Sequence, residues 1–181
     1  RRARDQQLDV ALPLTAPRLS MNRTITPHRK VAFASVAIDD VKAVRNALGV
    51  TVNDVVLAVT TGALRAYLDR RGELPDRPLV AAIPTNVRGG DDRAYGNRVS
   101  AMFASLPVDR ADPIERVEIV RRSTSGAKEV HGVVGDTTLE EWAEVAAPVV
   151  FSRAMRLYAR LRIGERMRPP VNLVVSNVPG P

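Results

Sequence analysis

The sequence predicts an α/β fold, a mixed β-sheet flanked by helices. Short apolar runs of strand length alternate with longer segments of helical periodicity. Capping residues, glycines and prolines stand between them. An apolar fraction of 45% over 181 residues is enough for the core of one domain, or of one lobe of a larger enzyme.

Residues 1–30 carry Pro13, Pro17 and Pro27 among polar and basic residues, and read as a linker resting on the surface. The run Val-Ala-Phe-Ala-Ser-Val-Ala-Ile at 31–38 is apolar on both faces, the pattern of a buried strand. Asp39 or Asp40 then caps a short helix that stops at Gly49. Thr51-x-x-Asp54 has the spacing of a capping box and opens the strongest helix. Its first two turns are apolar nearly all round, so they belong in the core. Arg65, Arg70 and Arg71 gather towards its end, the favourable side of the helix dipole, before Gly72.

Residues 79–83 read as a buried strand between Pro78 and Pro84, followed by a polar loop at 85–92. Residues 99–106 alternate, with Val99, Ala101 and Phe103 on one face. Asp112-Pro113 signals a cap and a first helical turn. That helix weakens on paper at Ser123-Thr124-Ser125-Gly126 and resumes towards His131. Thr138-x-x-Glu141 opens another helix, interrupted by Pro148 and resumed to about residue 162. Residues 171–176 read as a last strand.

Composition narrows the function. The absence of cysteine removes disulfides, thiol catalysis and Cys-ligated zinc. Two histidines far apart, His28 and His131, make a His-rich metal site unlike this sequence, and no metal is expected. The net charge of +7 favours an anionic partner: nucleic acid, an anionic membrane or a phosphorylated substrate. Aromatic residues at 4% argue against a base-stacking single-strand binder. No apolar run reaches the ~18 residues of a membrane-spanning helix.

Several polar residues sit where a cleft would place them. Asn53 and Asp54 stand at the start of a buried helix, where an Asp also has a purely structural use as a dipole partner and cap. An amide at that place can orient a carbonyl or a base. Asn86 and Arg88, with two glycines after them, form a loop suited to phosphate or to an ordinary solvated turn. Gly96-Asn97-Arg98 precedes a strand and Ser176-Asn177 follows one, positions that line clefts in α/β folds and also serve plain turns. Arg153, Arg156 and Arg160 share one helical face, suited to an anionic lipid surface or simply to solvent.

Five ordered strings together resemble the C-terminal half of the bacterial wax ester synthase/diacylglycerol acyltransferase family. They are Met21-Asn22-Arg23 through Pro27-His28-Arg29-Lys30, Asn53-Asp54-Val55-Val56-Leu57-Ala58, Ile83-Pro84-Thr85-Asn86-Val87-Arg88, Gly96-Asn97-Arg98, and Ser176-Asn177-Val178-Pro179-Gly180-Pro181. The Arg- and Ala-rich composition is similar to that of actinobacterial members. The resemblance implies part of one lobe of a two-lobed, chloramphenicol-acetyltransferase-like fold. Residues 1–30 would then be an interlobe crossover, and 31–181 most of the C-terminal lobe without its final strands. It implies transfer of a fatty acyl group from acyl-CoA, as substrate and with no further cofactor, to diacylglycerol or a long-chain alcohol. It also implies a cytoplasmic site peripheral to the inner membrane or lipid droplets.

A His-His-x-x-x-Asp-Gly motif supplies the general base in that family, and neither His28 nor His131 matches it. The N-terminal lobe carrying that motif is therefore an expected partner. Asn53 and Asp54 inherit a supporting catalytic role, and Asn86, Arg88, Asn97, Ser176 and Asn177 a substrate-binding one. The competing expectation is a non-catalytic lipid- or membrane-binding module. A nucleic-acid binder has only charge in its favour and no reader motif.

Overall fold

A computed structural model describes residues 11–23, 27–86, 99–134 and 168–178. After a short 3₁₀ turn at Ser20–Asn22 come helices α1 (Ile38–Leu48) and α2 (Val52–Arg70), strands β1 (Leu79–Asn86) and β2 (Val99–Leu106), helix α3 (Pro113–Val134) and the two-residue strand β3 (Leu173–Val174). The sheet order is β2-β1-β3, with β1 antiparallel to β2 and parallel to β3. It is the mixed α/β architecture that the sequence predicts.

The period-2 alternation of a strand decides which side chains face which layer. Leu79, Ala81 and Ile83 of β1, with their partners Leu106, Ala104 and Met102, point to the helices. There all but Met102 join Leu57 and Leu68 of α2, Val120 of α3 and Val108 in one core. Each large side chain so buried contributes roughly 1.5–3 kcal/mol. On the other face Val80 and Phe103 pack against Ala11, Ala16 and Val171, so residues 11–16 cover the back of the sheet. The remaining stretch of this N-terminal segment is tied down by Ser20, whose amide donates to Glu73 at 3.3 Å. The Ser20 hydroxyl and then its amide hold the Glu73 carboxyl below its ordinary range.

Polar bonds finish both sheet edges. Ser105 of β2 turns its N–H outward and donates to the Ser123 hydroxyl of α3 at 2.8 Å, which occupies a donor that an open edge would expose. On the opposite edge Asn172, 6% exposed, closes every polar group it has. Its N–H donates to the Val80 carbonyl at 2.8 Å and its Oδ1 accepts from the Val80 N–H at 3.0 Å. Its Nδ2 donates to the Pro17 carbonyl and to Asn22 Oδ1, both at 2.8 Å, and its carbonyl accepts from Asn22 Nδ2 at 2.8 Å. One buried amide thus joins segments about 150 residues apart in the chain.

Several sequence expectations need correction. The apolar run at 31–38 forms no strand in this chain: Val31 is 75% and Phe33 96% exposed. The run has the composition for burial, but the described residues offer nothing to bury it. The cap of α1 is Ala37, without a side-chain bond, and Asp39 and Asp40 lie in the first turn instead. Gly49 ends α1 as expected, at a φ of 63° that favours glycine.

Strand β1 passes through Pro84 rather than ending before it. Val80 and Ala82 aim their backbone groups at the β3 side, so the missing N–H of Pro84 faces that side too. The last bond there, from the Val175 N–H to the Ala82 carbonyl, has already been made. Helix α3 begins where Asp112 accepts from the Ile114 N–H at 2.8 Å, and it runs unbroken through Ser123–Gly126. Ser123 and Thr124 are buried with partners across the interface, and tertiary bonding overrides their weak helix propensity. Of the expected strand at 171–176 only Leu173–Val174 pairs. The expected helices at 138–162, with the Arg153 face, lie outside the described residues. Among the described residues no single helix is long and apolar enough to cross a membrane.

Asn172→Leu should cost the full-length protein about 2–4 kcal/mol, because it orphans the buried Val80 N–H and the Pro17 carbonyl. Denaturant unfolding of the variant checks this.

Candidate functional site

Helix α2 starts abruptly because its first turn is closed by its own side chains. The Thr51 hydroxyl oxygen accepts from the Asp54 N–H at 3.2 Å. Asp54 Oδ2 accepts from the Thr51 N–H at 2.9 Å and from the Thr51 hydroxyl at 2.7 Å. That reciprocal pair is the capping box its spacing predicts. What the spacing could not show is the second carboxylate oxygen: Asp54 Oδ1 accepts from the Thr124 hydroxyl of α3 at 2.8 Å.

Asp54 is 3% exposed, and its charge is met by these donors and by the positive end of the helix dipole. Both oxygens are engaged, so the geometry gives it a positioning role, fixing the start of α2 against α3. The two helices pack antiparallel: Asp54 meets Thr124, and two turns later Gly62 lies 3.4 Å, measured from an ideal Cβ, from the Arg116 guanidinium. Arg65 then anchors its guanidinium on the Val108 carbonyl at 2.5 Å, beyond the end of β2.

Asn53 is the neighbour that remains available. It occupies the turn held by the capping box, is half-buried, and forms no side-chain hydrogen bond with any described residue. Its backbone lies in the first turn that the capping box closes.

Of the other candidates, Asn86, Ser176 and Asn177 are described, each at or just after a strand. Asn86 is the last residue of β1 and pairs with Val99, the first of β2. Ser176 and Asn177 follow β3 and are exposed. The parallel pairing of β3 with β1 covers Ala81 with Leu173 and Ala82 with Val174, and Ser176 and Asn177 lie two and three residues past its end. Arg88 and Asn97 lie outside the described residues. No described contact joins Asn53 to this sheet end. His28 is exposed, and His131 falls within α3. No group of three or more His, Asp or Glu that could hold a metal occurs among the described residues.

Thr124 and Asn172 are the residues that sequence reasoning missed. Thr124 sits in a stretch that reads as helix-weakening, which was the one available signal that its side chain has a partner elsewhere. Asn172 looks like any turn residue beside two prolines.

Comparison with known proteins now adds a second line. The family model for the wax ester synthase/diacylglycerol acyltransferase catalytic domain matches residues 1–56, and the model for the C-terminal domain of the same family matches residues 95–181. A Mycobacterium tuberculosis protein named as a candidate diacylglycerol O-acyltransferase is 36% identical over 172 residues, 95% of this chain. The chain belongs to the wax ester synthase/diacylglycerol acyltransferase family.

The Acinetobacter baylyi O-acyltransferase WSD is 38% identical over 170 residues, covering 92% of the chain and 35% of that protein. The solved wax ester synthase/diacylglycerol acyltransferase of Marinobacter aquaeolei VT8 superposes with a TM-score of 0.62 at 31% identity, over 92% of this chain and 35% of that one. The chain therefore spans about a third of the length of the family members it matches; for the Mycobacterium tuberculosis protein the share is 34%.

Thr124→Val should destabilise the full-length protein by about 1–2 kcal/mol, since it leaves a buried carboxylate oxygen without its donor. In a double-mutant cycle with Asp54→Ala the coupling should be on the order of 1 kcal/mol. Additive single-mutant effects would mean that the bond contributes nothing to holding α2 against α3.

Proposed function

We propose that this chain is one part of an acyl-CoA-dependent O-acyltransferase that moves a fatty acyl group to diacylglycerol or a long-chain alcohol. The observation that carries the reading is similarity over more than nine-tenths of the chain, at 36% and 38% identity, to proteins named for O-acyl transfer. The chemistry fits a division of labour. Neither of the two histidines stands in the paired His-His-x-x-x-Asp-Gly motif that the family resemblance implies for the base. The imidazole then belongs to the part of the family fold that lies outside these 181 residues.

In this mechanism the imidazole takes the proton of the acceptor hydroxyl, and the oxygen attacks the thioester carbonyl. A tetrahedral oxyanion forms, and donors aimed at it lower the barrier. Collapse breaks the C–S bond, and the CoA thiolate leaves with the proton carried by the imidazolium. Acyl-CoA is the co-substrate and the reaction needs no other cofactor.

Asn53 is the donor we assign to this segment, held in place by Asp54 and Thr51. To Asn86, Arg88, Asn97, Ser176 and Asn177 we assign substrate binding. Support comes from β1 and β3 being parallel neighbours, so that Asn86 closes one and Ser176 and Asn177 follow the other. The net charge of +7 suits the phosphates of CoA and an anionic lipid surface, at the cytoplasmic face of the inner membrane or on lipid droplets.

Asn53→Ala in the full-length protein should lower kcat by roughly 100-fold, as loss of one oxyanion donor does, with little change in thermal stability. Near-normal turnover in a folded variant removes Asn53 from the mechanism. The purified 181-residue segment should form no ester from acyl-CoA and either acceptor, and detectable product would place the base within it.

A further inference from the structure

The segment from residue 27 to the start of α1 is the least explained part of the molecule. Residues 31–38 read Val-Ala-Phe-Ala-Ser-Val-Ala-Ile, and seven of the eight are apolar. In an extended chain Val31, Phe33, Ser35 and Ala37 lie on one side and Ala32, Ala34, Val36 and Ile38 on the other. Both sides are therefore apolar, as in strands covered on both faces. Yet Val31 is 75%, Phe33 96%, Val36 61% and Ile38 55% exposed. No described residue forms a backbone hydrogen bond with residues 31–36. Helix α1, which continues the segment, buries none of its residues either.

The apolar stretch has sharp limits. His28, Arg29 and Lys30 precede it and Asp39 and Asp40 follow it. Eight extended residues span about 26 Å, the width of an ordinary sheet. Charged groups at both ends and none between them describe a strand that crosses a layered interior from one surface to the other.

The family comparison supplies a candidate for what covers it. Residues 1–56 match the catalytic-domain model, while residues 95–181 match the C-terminal-domain model. The exposed run therefore belongs by sequence to the catalytic domain. The chain as a whole spans 34% of its Mycobacterium tuberculosis relative.

We propose that residues 31–37 are a strand of the catalytic domain's β-sheet, paired along at least one edge and covered on both faces by that domain. This does not depend on the acyl-transfer reading. Its consequence for the fold is mechanical. The strand leads into α1, and α1 meets α2 across Gly49 and Val50 at a bend of 105°. The catalytic domain would thereby grip the chain at the far end of α1, the helix that leads to the turn that holds Asn53.

Hydrogen–deuterium exchange on the full-length protein tests the proposal without any variant that has to fold. At least half of the amides in residues 31–37 should be slowed by about 100-fold or more relative to an unstructured peptide. The protection should not change on tenfold dilution. Exchange at unstructured rates would overturn the proposal. Protection that falls with dilution would overturn it too, by assigning the strand to a second copy of the chain. Phe33→Asp gives a complementary readout: it should abolish the protection or the soluble protein, and a soluble variant with protection intact would contradict a covered strand.

Discussion

The Asp54 carboxylate, shut between the first turn of α2 and Thr124 of α3, is the constraint on which the rest of the arrangement depends. A buried carboxylate is tolerated only when donors meet both oxygens, and here one oxygen is met from within α2 and the other from α3. The two helices therefore have one antiparallel register rather than a choice of sliding contacts. Helix α3, placed in this way, delivers the Ser123 hydroxyl to the edge of β2. Asn172 does the equivalent work on the other side of β1. The apolar core supplies most of the stabilisation, and these few polar bonds determine which packing of that core is adopted.

What could be read in the sequence follows from how local the signal is. The capping box at Thr51 and Asp54, the Gly49 stop and the Asp112 cap are contained within a few residues, and each forms as its spacing implies. The mixed sheet followed from alternating strand and helix patterns. Long-range bonds were not legible. Ser123 and Thr124 look like helix breakers until their partners 18 and 70 residues away are known. Pro84 looks like a strand end until the direction of its backbone and the end of the β3 ladder are known. The run at 31–38 shows the limit most clearly, because periodicity reports that a segment needs burial and not what buries it.

For the candidate site, the sequence named Asn53 and Asp54 as a pair, and the structure separates their roles. Asp54 is committed to holding the helix start, and Asn53 carries an uncommitted amide on the backbone that Asp54 holds. Of the residues at the strand ends, Asn86 closes β1 and Ser176 and Asn177 follow β3, which is parallel to it. The proposed mechanism assigns positioning to this segment and proton transfer to the rest of the family fold.

Photolabelling of the full-length protein with a diazirine-bearing fatty acyl-CoA, followed by peptide mapping, tests that division most directly. Label within residues 52–58, or near Asn86 and Ser176–Asn177, competed away by unmodified acyl-CoA, is the expected result. Competed label found only outside this segment would contradict a cleft shared between its two halves.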